Sequence, residues 1–123
     1  MDGVLVGFAL VLAGAAGLWV AWIGSQRRLA PNSWIGVRLP QTRRSDAAWY
    51  AAHEASAGPL GLGGGVAAFC GLGVLVTGLD TVGLAVAAIG VVGLLAGTSV
   101  ATVAAVRAAG AVPDPSEGPD LSG

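Results

Sequence analysis

The sequence has no lysine, one cysteine and one histidine, and charged residues make up only 11% of its 123 positions. The single cysteine, Cys70, excludes an internal disulfide framework, and with one histidine, His53, the chain cannot supply a Cys/His zinc site. A formal net charge of −1 argues against attraction to polyanions, so we expect no nucleic-acid partner. Soluble domains carry roughly twice this share of charge. The first solvent to consider is therefore lipid.

Hydrophobic residues make up 54% of the chain, and three windows contain no charged residue: 3–26, 55–79 and 81–106. Each is long enough to cross a bilayer as a helix, which needs about 20 apolar residues. Helices satisfy their own backbone groups in lipid, whereas a three-stranded sheet would leave open edges. Gly58-Pro59 predicts a helix boundary. We therefore expect an all-α integral membrane protein with transmembrane spans at about 3–24, 60–79 and 81–106.

The polar segments complete this organisation. A structured loop is predicted between the first two helices, at 26–57, and a turn at 78–81 makes the second and third helices an antiparallel hairpin, capped by Asp80 or Thr81. Residues 1–112 form the membrane domain. The remaining segment, 113–123, is acidic and proline-rich, and we expect it to be disordered.

Five of the six arginines lie between the first two helices, and Arg107 follows the third. The positive-inside rule places both regions in the cytoplasm. The sequence thus predicts a multi-pass cell-membrane protein with its N-terminus outside and its C-terminus inside. No Asp, Glu, Lys, Arg or His lies within a predicted span, which argues against a pump or a secondary transporter.

Small residues recur on one face of the third helix, at Gly93, Gly97, Ala101 and Ala105. Such a stripe lets two helices approach closely in lipid. Three explanations stay open: packing within the hairpin, a homo-oligomer, or the high glycine and alanine content of the chain.

The loop at 26–57 has more pattern than a linker needs. Its first half is broken into turns by proline, glycine and asparagine. Ser45 or Asp46 then suits the N-cap of a short helix that runs to about residue 57. On that helix Ser45, Trp49 and His53 fall at i, i+4 and i+8, so we expect them to share one face.

These residues form the pattern Asn32-x3-Gly36-x-Arg38-x-Pro40-x-Thr42-x2-Ser45-x3-Trp49-x3-His53. The pattern resembles the signature loop of the SdpI family, bacterial membrane proteins named for immunity to a secreted sporulation-delaying toxin. The chain is similar to a short, three-span form. The resemblance implies a link to toxin resistance and, in some members, to holding a transcriptional repressor at the membrane.

Each position also has a physical interpretation. Arg38 is suited to bidentate binding of a phosphate or carboxylate, or else serves as a topological charge. His53 is either a pH-sensitive contact, to Glu54, Ser45 or a ligand of Arg38, or a solvated residue at a helix end. Trp49 is expected to anchor the helix at the headgroup level. Two groups remain: turn formers at Asn32, Gly36, Pro40 and Thr42, and headgroup anchors at Arg27, Arg28, Arg43 and Arg44.

We expect no enzyme activity, cofactor or metal site. Ser45 and Asp46 are residue types found in hydrolase triads, but adjacent residues point about 100° apart on a helix. Three functions remain: an immunity or resistance factor that binds a membrane-active peptide toxin, a signal-transducing adaptor that recruits a cytoplasmic regulatory protein through residues 26–53, or an accessory subunit of a membrane complex. The expected general partner is a bilayer with anionic headgroups.

Overall fold

Four helices make up the fold in the computed structural model, which describes residues 2–32 and 35–113. They are α1 (Asp2–Ser25), the short α2 (Pro40–Arg43), α3 (Asp46–Thr77) and α4 (Thr81–Ala111). Within the described ranges there is no strand, and α1, α3 and α4 are long and apolar enough to cross a membrane. The predicted all-α fold with three membrane-length helices is confirmed.

The exterior of the bundle is apolar. Phe69 is 79% exposed and Val76 is 86% exposed, and large aliphatic side chains also face outward on α1 and α4. A water-soluble domain does not tolerate so much contiguous apolar surface, whereas hydrocarbon solvates it without cost. This exterior is the one expected of a bundle surrounded by lipid.

The central helix is α3, and α1 and α4 pack along it while meeting each other over a small area. Glycines bring the helices together. A Cβ on Gly97 would lie 2.7 Å from the Cα of Gly63, and a Cβ on Gly14 would overlap the backbone of Gly64 and Ala68. Association in lipid depends on such close van der Waals packing, because the apolar solvent supplies no hydrophobic drive.

The predicted helix boundary at Gly58-Pro59 is wrong, since α3 continues through both residues. Pro59 removes the N–H that would bond to the carbonyl of Ala55, and its ring crowds that carbonyl. Residues on both sides of it are buried against other elements, including Ser56 and Gly63. This packing holds one continuous helix, so the expected short helix and the second span are a single element.

Two side chains fix where α3 and α4 begin. Ser45 caps α3 by accepting a hydrogen bond from the amide of Ala48 at 3.0 Å, and Asp80 caps α4 by accepting from the amide of Gly83 at 2.8 Å. Gly78 ends α3 with a φ of 76°, a conformation that favours glycine. Of the predicted tail, Pro113 follows α4, and residues 114–123 lie outside the described part of the chain.

Helix α3 is longer than a bilayer requires. Its 32 residues span about 48 Å at 1.5 Å per residue, whereas the hydrocarbon core is about 30 Å thick. Its first three turns pack against the end of α4, where Ala48 and Ala52 contact Ala105 and Ala109 in a fully buried cluster. This end of the hairpin supports the segment that carries the sequence pattern.

Candidate functional site

The segment between α1 and α3, residues 26–45, is called the connection below, and it folds back onto the first turns of α3. Trp49 is 1% exposed, and its indole Nε1–H donates to the carbonyl of Leu29 at 2.8 Å. The side chain expected to anchor the helix among headgroups is therefore buried inside the protein. The side chain is enclosed because the connection covers it.

His53 lies one turn after Trp49 and bonds to two different segments. Its Nε2 accepts a hydrogen bond from the amide of Val37 at 2.9 Å, and its Nδ1 lies 2.8 Å from the carbonyl of Trp49. A nitrogen that accepts from an amide carries no proton, so the ring is neutral with its proton on Nδ1, which donates to Trp49. The ring centroids of Trp49 and His53 are 4.2 Å apart. The partners expected for His53 were Glu54, Ser45 or a ligand of Arg38, whereas the structure supplies backbone groups.

Gly36 makes the contact with His53 possible. Its φ is 107°, in the region that L side chains rarely adopt, and a Cβ there would overlap Nε2 of the His53 ring. Both conditions exclude a larger residue. Glycine is thus required at position 36 for two reasons: the positive φ and the short distance to the His53 ring.

Thr42 joins the two ends of the turn that contains Arg38. Its side chain is fully buried, and its hydroxyl donates to the carbonyl of Val37 at 2.6 Å while accepting from the amide of Leu39 at 3.1 Å. Pro40 occupies the first position of α2, where its missing N–H costs nothing. These contacts close residues 37–42 into a compact unit.

Asn32 organises the start of the connection. Its Oδ1 accepts from the amide of Ile35 at 2.7 Å, and its Nδ2 donates to the carbonyl of Ala30 at 3.0 Å. Ser45, the N-cap of α3, ends the connection. The turn-forming roles expected for these polar residues agree with their positions.

Arg38 differs from the other residues of the pattern. Its side chain is exposed and makes no hydrogen bond or ion pair with the described residues. Its neighbours are held rigidly, because Val37 bonds to His53 and Leu39 bonds to Thr42. The connection therefore presents the Arg38 guanidinium group outward from a hydrogen-bonded backbone.

Three other arginines have partners within the protein. Arg44 donates to the carbonyls of Ala109 and Val112 and so caps the end of α4, where a cation is favoured by the helix dipole. Arg27 pairs with Glu54 at 3.2 Å, and Arg28 lies over the ring of Trp22. Arg44 was expected to anchor headgroups, but the structure uses it to tie the connection to α4.

The comparison with protein families covers this site. The model of the SdpI/YfhL protein family matches residues 28–106, which include most of the connection, all of α3 and most of α4. The chain belongs to the SdpI/YfhL family. No curated protein and no solved structure matches it.

In this SdpI/YfhL family member the residue pattern is mainly a folding device. The connection is held on α3 by the contacts of Gly36, Trp49 and His53. Asn32, Pro40 and Thr42 shape the connection itself, and Ser45 caps α3. Sequence reasoning missed the partners of Trp49 and His53, which are backbone groups of Leu29 and Val37. No side-chain pattern reveals such partners. The glycine at position 36 was the one available signal of a close approach.

The small-residue stripe of this SdpI/YfhL chain faces α3. A Cβ on Gly93 would lie 2.7 Å from the side chain of Val66, Gly97 contacts Gly63, and Ala101 and Ala105 are buried. The stripe thus lies in the contact between α3 and α4 of one chain. The family match and the three apolar helices make the chain a multi-pass membrane protein.

Proposed function

We propose that this protein is an immunity or resistance factor that protects a bacterial membrane against a membrane-active peptide toxin. One observation carries the proposal: the family match extends over most of the connection, all of α3 and most of α4. The geometry supports a binding role, since the connection is rigid and offers an exposed arginine. A guanidinium group binds a carboxylate or phosphate through two parallel hydrogen bonds.

Heterologous expression tests this proposal. The chain is expressed in a bacterium that is sensitive to the secreted sporulation-delaying toxin, and survival is measured over a series of toxin concentrations. We expect higher survival than with an empty vector, and Arg38→Ala should reduce protection while membrane abundance stays the same. Arg107→Ala removes the same charge from the exposed end of α4 and serves as the control. Equal survival with and without the chain at normal abundance contradicts the proposal.

The proposed orientation has the connection and the C-terminus in the cytoplasm and the N-terminus outside. Arg44 bonds to the last carbonyls of α4, so the arginine-rich connection and the end of α4 lie at one end of the bundle. The positive-inside rule assigns such an end to the cytoplasm. Exposed arginines there, such as Arg43, are also suited to anionic headgroups.

A second candidate function is that of a membrane-bound adaptor. It is favoured by the exposure of Arg38 on a connection that the proposed orientation places in the cytoplasm. A photo-crosslinking amino acid at Leu39, next to Arg38, should then capture a soluble cytoplasmic protein, and Arg38→Ala should abolish the adduct. Recovery of lipid adducts alone would exclude the adaptor. The accessory-subunit hypothesis has less support, because the glycine faces are used in contacts within the chain.

A further inference from the structure

A cleft separates α1 and α4 at the end of the bundle that carries the connection. The two helices approach each other near Leu10 and Gly90, where a Cβ on Gly90 would lie 3.4 Å from the Leu10 side chain. Towards the connection a cavity of about 270 Å³ lies between Ala16 and Val20 of α1 and Thr98 and Thr102 of α4. Helix α3 contributes its floor.

The cleft has a roof and a lateral opening. Gly36 and Val37 of the connection line it, so the contact between Val37 and His53 also closes its end. Ala16 is exposed, which shows that the cleft reaches the outer surface of the bundle. Since α1 is a membrane-length apolar helix, this opening faces hydrocarbon in the half of the bilayer nearer the connection.

The lining suits an alkyl chain. The hydroxyls of Ser56, Thr98 and Thr102 donate to the carbonyls of His53, Leu94 and Thr98 in their own helices, at 3.2, 2.8 and 2.8 Å. These three hydroxyl groups therefore need no ligand atom as a hydrogen-bond acceptor. The remaining lining of the cleft is mostly apolar. The volume is below the range of about 300–1,000 Å³ typical of pockets for drug-sized molecules. A narrow, flexible chain fits such a space better than a ring system.

A positively charged residue, Arg38, lies next in sequence to the residues that close the end of the cleft. Arg38 follows Val37 directly, so its Cα is about 3.8 Å from that of a residue that lines the cleft. It is exposed and has no ion-pair partner in the described part of the chain, and the nearby carboxylate of Glu54 is paired with Arg27. A guanidinium group in this position is suited to a phosphate group at the membrane surface.

We propose that the cleft binds one acyl chain of an anionic phospholipid, whose phosphate lies against Arg38. The apolar cleft opens laterally, which suits an acyl chain. Arg38, next to the residues that close its end, suits an anionic headgroup. A larger groove of about 450 Å³ between α3 and α4 lacks this combination, because none of the residues that line it is next in sequence to a charged residue. The site goes beyond toxin immunity and does not depend on it.

Photolabelling in lipid nanodiscs tests the site with the full chain. Nanodiscs of phosphatidylcholine contain a small fraction of phosphatidylglycerol with a diazirine in one acyl chain, and the labelled residues are mapped by mass spectrometry. Labels should concentrate at 16–20 and 98–102, and unlabelled phosphatidylglycerol should compete for the site while phosphatidylcholine should not. Equal labelling by a photoreactive phosphatidylcholine overturns the proposal, as does labelling spread evenly around the bundle.

Two variants separate the chain site from the headgroup site. Ala16→Phe fills the cleft and should abolish the concentrated labelling, whereas Ala15→Phe adds the same ring at an exposed neighbour that does not line the cleft. Arg38→Gln should lower the preference for phosphatidylglycerol by about tenfold, the ratio that one charge-assisted hydrogen bond accounts for. Free inorganic phosphate should not compete, because it lacks the acyl chain.

The remaining outcomes are also decisive. If Ala16→Phe and Ala15→Phe label alike, or if Arg38→Gln keeps the full lipid preference, the proposal is wrong. Circular dichroism of each variant identifies a failure to fold, and Arg38→Gln, at an exposed position, keeps the test valid if Ala16→Phe is unstable.

Discussion

His53 shows how a polar side chain organises the cytoplasm-facing end proposed for this bundle. Each ring nitrogen bonds to a backbone group, one in the connection and one in α3, and the ring itself packs on Trp49. A buried amide that loses its partner costs roughly 1–3 kcal/mol. At the residue scale the pattern is therefore a set of contacts that hold the connection in one conformation and leave Arg38 outside.

The contact between Gly36 and His53 leads to a stability prediction. Gly36→Ala should destabilise the protein by roughly 1–3 kcal/mol, because the new Cβ would meet the His53 ring from a backbone with positive φ. Thermal unfolding in detergent micelles, followed by circular dichroism, measures the change. Gly58→Ala is the control: a Cβ there meets nothing within 4 Å, and alanine suits a helix interior. Equal effects of the two substitutions would show that the close approach at Gly36 does not matter.

At the scale of elements, glycine determines how closely the helices pack. Gly97 of α4 lies against Gly63 of α3, and Gly14 of α1 lies against Gly64 on another side of α3. Helix α3 can serve both neighbours because Gly63 and Gly64 are adjacent and point in different directions. The continuity of α3 through Pro59 matters for the same reason, since it carries this packing on to the turns that contain Trp49 and His53.

The contact between α3 and α4 is tested by Gly97→Ala. The added Cβ would lie 2.7 Å from the Gly63 Cα and 2.8 Å from the Pro59 carbonyl oxygen. Backbone atoms cannot rotate away, so the helices must separate, at a cost of roughly 1–3 kcal/mol. The midpoint of thermal unfolding in micelles should fall. Gly110→Ala, near the end of the same helix, has nothing within 4 Å and should leave the midpoint unchanged or slightly higher; a matching fall in both variants would contradict the interface.

For the whole molecule, the two ends of the bundle differ in charge. The connection holds five of the six arginines, and Arg44 ties it to the end of α4, whereas the opposite end carries Asp2 and Asp80. A membrane potential and anionic lipids act on this asymmetry and set the direction of insertion. Arg38, the cleft and the connection all belong to the arginine-rich end.

Cysteine labelling checks the direction of insertion. In a Cys70→Ala background, a cysteine at the exposed Gln41 should react with a membrane-impermeant maleimide only after the cells are permeabilised. A cysteine at the exposed Thr81, the first residue of α4, should react in intact cells. The reverse pattern would place the connection outside the cell and remove the basis for a cytoplasmic partner.

The sequence by itself determined the fold class, the approximate helix positions and the segment that matters, because charge-free windows and clustered arginines report directly on the bilayer. The helix caps at Ser45 and Asp80 were also predictable from the sequence, since capping is a local interaction. Only the tertiary structure decided that α3 continues through Pro59, that Trp49 and His53 are enclosed by backbone groups far along the chain, and that Arg44 caps α4. Those outcomes depend on which distant segments of the chain come into contact. A pattern of residue types along the sequence does not specify those contacts.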